Sequence, residues 1–360
     1  MSMGSPPFTF AAITSIMSVV PFGQKSPMNP EQTSQLRGAQ GRHITNLRVS
    51  VTDRCNFRCI YCMPEEMTWI PRGEILTFEE IQRVLGIVSR LGIDKVRLTG
   101  GEPTLRSDLP DLIRMIHAVE GIRDVGLTTN GFRLSTLARP LYDAGLRRLN
   151  ISLDTLQRHK FHQMARRDAF EQVMEGLWEA GRLGFHPIKL NAVTMRGYTE
   201  DEALDFAELA RERDFQIRFI EFMPLDADGI WGPESFVPGQ DIVDRINAVF
   251  PLEPVSDNGP EPTTRFRFRD GSQGEIGIIP SVSNPFCESC NRVRITADGK
   301  LRTCLFATTE TDLRDSLRNG CSDDEIARRF AEAVYRKEPG HLINQKGFVK
   351  PERNMSRIGG

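Results

Sequence analysis

Six of the seven cysteines fall into two groups of three, and the spacing suits metal chemistry better than disulfide chemistry. Cys55, Cys59 and Cys62 lie close together as C-NFR-C-IY-C. Three such thiolates can take three irons of a [4Fe–4S] cluster and leave the fourth open, or take three positions of a zinc site completed from elsewhere. Cys287 and Cys290 form C-x2-C, and Cys304 follows. Here a structural zinc knuckle completed by His341 or Cys321 is the competing reading. Cys321 belongs to neither group and reads as a small packed thiol. Between Cys290 and Cys304, the stretch NRVRI turns Arg292 and Arg294 to one side and Val293 and Ile295 to the other. Two guanidiniums on one face suit a polyphosphate, although a solvated strand face carries the same pattern.

The elements that must position these residues alternate strand and helix from Leu47 onward. Strands are expected at Leu47–Thr52, Lys95–Thr99, Val125–Thr129, Arg148–Asp154, His186–Thr194 and Phe215–Glu221. Helices are expected between them. Thr77 and Glu80 open one with a capping box, and Asp108 and Ser135 are candidate caps for the next two. The others cover Ala169–Leu183 and Asp201–Arg211. The strands are apolar on one face and polar on the other. Leu47 and Val49 oppose Arg48 and Ser50, Val96 and Leu98 oppose Arg97, and Leu190 opposes Lys189. A doubly wound sheet would be apolar on both faces. The pattern predicts an α/β chain folded as an incomplete (β/α)6 TIM-like barrel with a wet lumen. The sixth strand fits least well, as an edge would. Residues 43–228 form this barrel, and residues 229–360 form a smaller α+β C-terminal segment packed across its opening. Residues 1–42 read as an unstructured extension. Their apolar run Phe8–Phe22 lacks the basic flank of a signal peptide and the length of a membrane span.

Composition limits the function. The chain has 360 residues, and 46 Lys and Arg stand against 48 Asp and Glu, a formal net charge of −2. A broadly basic nucleic-acid-binding surface is excluded, although a local basic pocket is not. The expected location is the cytoplasm, with no membrane partner.

The motifs resemble a known family. C-x3-C-x2-C with Tyr61 before the last cysteine resembles the radical S-adenosylmethionine (SAM) superfamily, as does Gly100-Gly101-Glu102-Pro103 at the end of the second strand. LRVSVTDRCNFRCIYCMP, RLTGGEPTLR, GLTTNG, YDAGLRRLNISLD, IRFIEFMP, FCESCNRVR, CLFA and the terminal Gly359-Gly360 closely resemble the MoaA family, the GTP 3′,8-cyclases of molybdenum-cofactor biosynthesis. The resemblance runs from about Leu47 to the C-terminus.

This resemblance implies two [4Fe–4S] clusters, one on Cys55, Cys59 and Cys62 and one on Cys287, Cys290 and Cys304. It implies SAM as cofactor, touched by Tyr61, Gly101, Ser152 and Met223. GTP would be held by Arg48, Arg97, Thr128, Lys189, Arg292, Val293 and Arg294. A 5′-deoxyadenosyl radical would take hydrogen from ribose C3′, and that carbon would attack guanine C8. Gly359 and Gly360 would reach into the active site. A homodimer, an electron donor and the pyranopterin-forming enzyme that follows are implied partners. A peptide-maturing radical SAM enzyme and a non-catalytic zinc-binding protein are the alternatives.

Overall fold

Six parallel strands lie side by side in chain order in the computed structural model, which describes residues 35–256 and 261–359. They are β1 (Asn46–Ser50), β2 (Lys95–Thr99), β3 (Asp124–Thr129), β4 (Arg148–Ser152), β5 (Ile188–Thr194) and β6 (Phe215–Glu221). The helices between them are α1 (Phe78–Ser89), α2 (Leu109–His117), α3 (Leu134–Asp143), α4 (Arg158–Ala165), α5 (Phe170–Arg182) and α6 (Ala203–Glu212). The Thr77–Glu80 capping box is present at the start of α1. The outward strand residues Leu47, Leu98, Leu127, Leu149, Leu190 and Ile217 are fully buried beneath the helices. Their alternates face inward, as a one-sided apolar pattern requires.

The C-terminal half contributes α7 (Gly239–Val249), β7 (Leu252–Pro254), β8 (Thr264–Phe268), β9 (Glu275–Ile279), β10 (Arg292–Ile295), β11 (Lys300–Arg302) and β12 (Thr311–Asp312). It ends with α8 (Arg314–Arg318), α9 (Asp323–Tyr335) and α10 (Met355–Ile358). All the strands form one open sheet, ordered β12-β11-β10-β1-β2-β3-β4-β5-β6-β9-β8-β7. The result is an incomplete barrel extended at both sides. β10 pairs in parallel with β1, and β9 pairs in parallel with β6. β6 is therefore an interior strand and not an edge.

Four local readings change. Asp108 has φ 59° and makes no capping bond, and α3 begins at Leu134, ahead of Ser135. α4 was not anticipated, because RHKFHQMA carries few apolar residues. Residues 35–42 are packed rather than loose. Leu36 is buried, its N–H donates to the Leu91 carbonyl at 3.0 Å, and Arg37 bridges His43. Phe8–Phe22 and Gly360 lie outside the described residues. Among the described residues no helix is long and apolar enough to cross a membrane.

Candidate active site

The first cysteine loop leaves the C-terminal end of β1, the end at which βα barrels place their chemistry. Glycines let it sit there. The Gly101 N–H donates to the Thr52 carbonyl and the Glu102 N–H to that of Arg54, both at 2.7 Å. A Cβ on Gly101 would collide with the carbonyl oxygens of Asp53 and Arg54. The close approach that these glycines permit is thus to the cysteine loop itself. The Glu102 side chain is buried and accepts from Thr104 Oγ1 (2.5 Å), Thr129 Oγ1 (2.6 Å) and the Asn130 N–H (2.6 Å). Burial raises its pKa against those bonds. It ties the end of β2 to the end of β3.

α4 supports the loop from the other side. The Arg58 and Ile60 N–H groups donate to the Ala165 and Met164 carbonyls, both at 3.0 Å. Phe57 packs edge-on against Phe161, with ring centroids 5.6 Å apart. The Arg58 guanidinium donates to the carbonyls of Cys55 and Phe57. The Tyr61 hydroxyl donates to Asp154 Oδ2 at 2.7 Å, and the Val193 N–H donates to Asp154 Oδ1 at 2.9 Å. Burial pushes Asp154 up to about 6.

The second trio lies across one cavity of about 290 Å³ from the first. The cavity is lined by Cys55, Cys59, Cys62, Cys287, Cys290 and Cys304, together with Tyr61, Gly101, Ser152, Met223, Thr128, Arg48, Arg292 and Arg294. Arg97 and Lys189 are not among its lining residues. Lys189 is buried, and an Arg97 nitrogen is buried with no hydrogen-bond partner. Val293 is buried on the opposite face of β10, so only its backbone can serve a ligand. A more open groove of about 750 Å³ lies at the other ends of β5 and β6, between Trp178, His186 and Arg213. It contains no cysteine.

Register explains the basic lumen. Arg294, Arg48 and Arg97 are direct neighbours across β10, β1 and β2. The next residue in that row is Gly126, where a Cβ would come within 2.9 Å of Arg97 Nη1. A glycine there gives the guanidinium its space. Burial, then Arg294, Arg292 and Arg97, lower Arg48 well below the usual arginine range. Burial, then Arg218, brings Lys189 down to about 7. Such crowding of like charges calls for an anion. Arg218 is an inward residue on β6 that sequence reasoning passed over, although its alternation with Ile217 and Phe219 signals it.

All seven cysteines are free thiols. Burial raises Cys55 to about 11 and pushes Cys59 and Cys62 well above the usual thiol range. Cys290 is different, because Arg292 and Lys337 outweigh its burial and hold it at about 6. Lys337 is buried behind it and donates to the Arg292 carbonyl at 3.1 Å. Among the described residues, no three His, Cys, Asp or Glu side chains converge on a single-ion site. Three clustered thiols are the donor chemistry that an iron–sulfur cluster takes. Cys321 is half-buried against the core, apart from the cavity.

The C-terminus closes this arrangement. The Met355 N–H donates to the Cys62 carbonyl at 3.3 Å, and Arg294 Nη1 donates to the Gly359 carbonyl at 2.6 Å. Gly359 has φ 79°, and a Cβ on it would collide with Ser50 Oγ.

Comparison with known proteins agrees with this geometry. The Radical SAM superfamily model matches residues 49–210, and the Molybdenum Cofactor Synthesis C model matches residues 215–343. The chain is 44% identical to the GTP 3′,8-cyclase of Rhodopirellula baltica over 339 residues, 93% of this chain and 94% of that one. It is 47% identical to the GTP 3′,8-cyclase of Streptomyces coelicolor, over 89% of this chain and 95% of that one. Streptococcus suis SuiB, solved bound to precursor peptide SuiA, shares the fold with a TM-score of 0.57 at 11% identity, over 94% of this chain and 84% of that one. With two cysteine loops on one basic cavity and close identity along nearly its whole length, the chain belongs to the GTP 3′,8-cyclase family of the radical SAM superfamily.

Proposed function

We propose that the protein converts GTP to 3′,8-cyclo-7,8-dihydro-GTP, the first step of molybdenum-cofactor biosynthesis. The observation that carries this reading is the pair of cysteine trios facing one cavity that Arg48, Arg292 and Arg294 also line. Cys55, Cys59 and Cys62 would hold a [4Fe–4S] cluster, which supplies the electron for reductive cleavage of SAM. Cys287, Cys290 and Cys304 would hold a second cluster, beside which the guanine lies. Gly101, Ser152, Met223 and the Tyr61–Asp154 pair form the wall available to SAM. Arg48, Arg97, Lys189, Arg218, Arg292 and Arg294 surround the triphosphate, and the Val293 backbone and Thr128 complete the site. Arginines suit this task because each guanidinium offers a fork of donors that stays charged when buried.

The fold supports a division of labour. Residues 43–228 would act on SAM and share the triphosphate with residues 229–360, which would hold the guanine. β10 brings Arg292 and Arg294 beside Arg48 of β1. Gly359 and Gly360 would bound the reaction space where a larger side chain could not. We place the enzyme in the cytoplasm, a reducing compartment that suits seven free thiols. It would act as a homodimer, with a reductant as electron donor and the pyranopterin-forming enzyme as consumer of its product.

Anaerobic reconstitution with iron and sulfide, followed by reductant, SAM and GTP, tests the proposal. Formation of 5′-deoxyadenosine together with a cyclised guanine nucleotide is expected. SAM cleavage that requires a peptide in place of GTP would overturn it in favour of a maturase.

A further inference from the structure

Among the described residues, Glu261 is the one acid within 4.0 Å of Arg48, Arg97, Lys189, Arg218, Arg292 or Arg294. Its carboxylate stands 3.3 Å from Arg218 and 3.7 Å from Lys189. Both contacts are longer than a tight charge-assisted hydrogen bond. The partners differ in freedom. The Glu261 side chain is 40% exposed, while those of Lys189 and Arg218 are 6% and 10% exposed. The charges of Arg148 and Arg265 also favour its ionised form, although each is paired, with Asp124 and Glu275, and Pro262 beside it lines the cavity. An anion on a half-exposed stem therefore rests on walled-in cations. It can swing to water at little cost, and they cannot follow.

We propose that Glu261 is a displaceable placeholder that occupies, in the free enzyme, the position of the substrate's terminal phosphate, and so helps select a triphosphate. This rests on the reading of the lumen as a nucleotide site. A carboxylate and a phosphate cannot share Lys189 and Arg218, because two anions on one small set of donors repel. Binding therefore requires the carboxylate to leave. A triphosphate that reaches the cations replaces it with more charge and more acceptors. A monophosphate bound through its guanine stops short and leaves the carboxylate in place. Glu261 thus sets an intrinsic cost on binding, met only by ligands that extend this far, and their apparent dissociation constant is the intrinsic one divided by the fraction of enzyme in the unplugged state.

The test measures equilibrium binding of GTP and GMP to the anaerobic, cluster-loaded full chain, for wild type, Glu261→Gln and Glu261→Asp. Glu261→Gln is expected to bind GTP about tenfold more tightly, with GMP within about twofold of wild type. Glu261→Asp keeps the charge on a shorter stem and is expected to lie between. Weaker or unchanged GTP binding by Glu261→Gln overturns the proposal, because the carboxylate would then be orienting the cations or idle. An equal gain for GMP also overturns it, since that is a general field effect. Absence of saturable GTP binding in wild type and variants alike would instead sink the nucleotide-site reading.

Discussion

Arg294 and Gly359 are joined by a 2.6 Å hydrogen bond from guanidinium to backbone carbonyl, so the tail is held by a strand in the lumen. The same tail bonds to the Cys62 carbonyl through the Met355 N–H. One short segment thus touches both halves of the site.

Gly359→Ala should undock this tail. The φ of 79° and the collision with Ser50 Oγ together cost about 1–3 kcal/mol locally. Cyclised product should fall to background, while the melting temperature stays within about 3 °C of wild type. Limited proteolysis should cut the variant's C-terminus faster. Full turnover with a protected tail would contradict this.

Glu102→Gln should destabilise the chain by about 2–4 kcal/mol in chemical denaturation. The native carboxylate accepts from Thr104, Thr129 and Asn130, and an amide NH2 would turn donors against donors. Iron uptake by the first loop should fall too, since Glu102 fixes the end of β2 against it.

GTP affinity should fall as pH rises above 7. Lys189 sits at about 7 in the free chain because burial and Arg218 oppose its charge. Below that pH it is already charged, and above it binding must take up a proton. Affinity should therefore drop by up to about tenfold per pH unit. Titration calorimetry at pH 8 in buffers of different ionisation enthalpy should register the proton. Lys189→Arg, which stays charged, should flatten the slope.

Cys290→Ser and Cys55→Ser should each lose about half the iron of the reconstituted protein. SAM cleavage should survive only in Cys290→Ser. Equal loss of cleavage in both variants would mean that the trios do not divide the work as proposed.

Much of the site was legible because strand alternation and cysteine spacing are local. Arg48 and Lys189 announced an inner face by facing away from Leu47 and Leu190, and the lumen has them there. Other features depend on contacts between distant segments. Nothing near Asp154 in sequence marks it as the acceptor for Tyr61, and nothing near Lys337 marks it as the cation behind Cys290. β6 was misread as an edge because its neighbour β9 lies across a long connection. α4 escaped because its low apolar content hides Phe161 and Met164, the residues that seat the cysteine loop.

The placement of β9 and β10 on either side of β1–β6 has a consequence for biosynthesis on the ribosome. When β6 emerges, both flanks of the six-stranded half expose unpaired backbone, and their partners do not yet exist. Such flanks invite pairing with other chains. They also leave the first cysteine loop reachable from outside until the final segment docks.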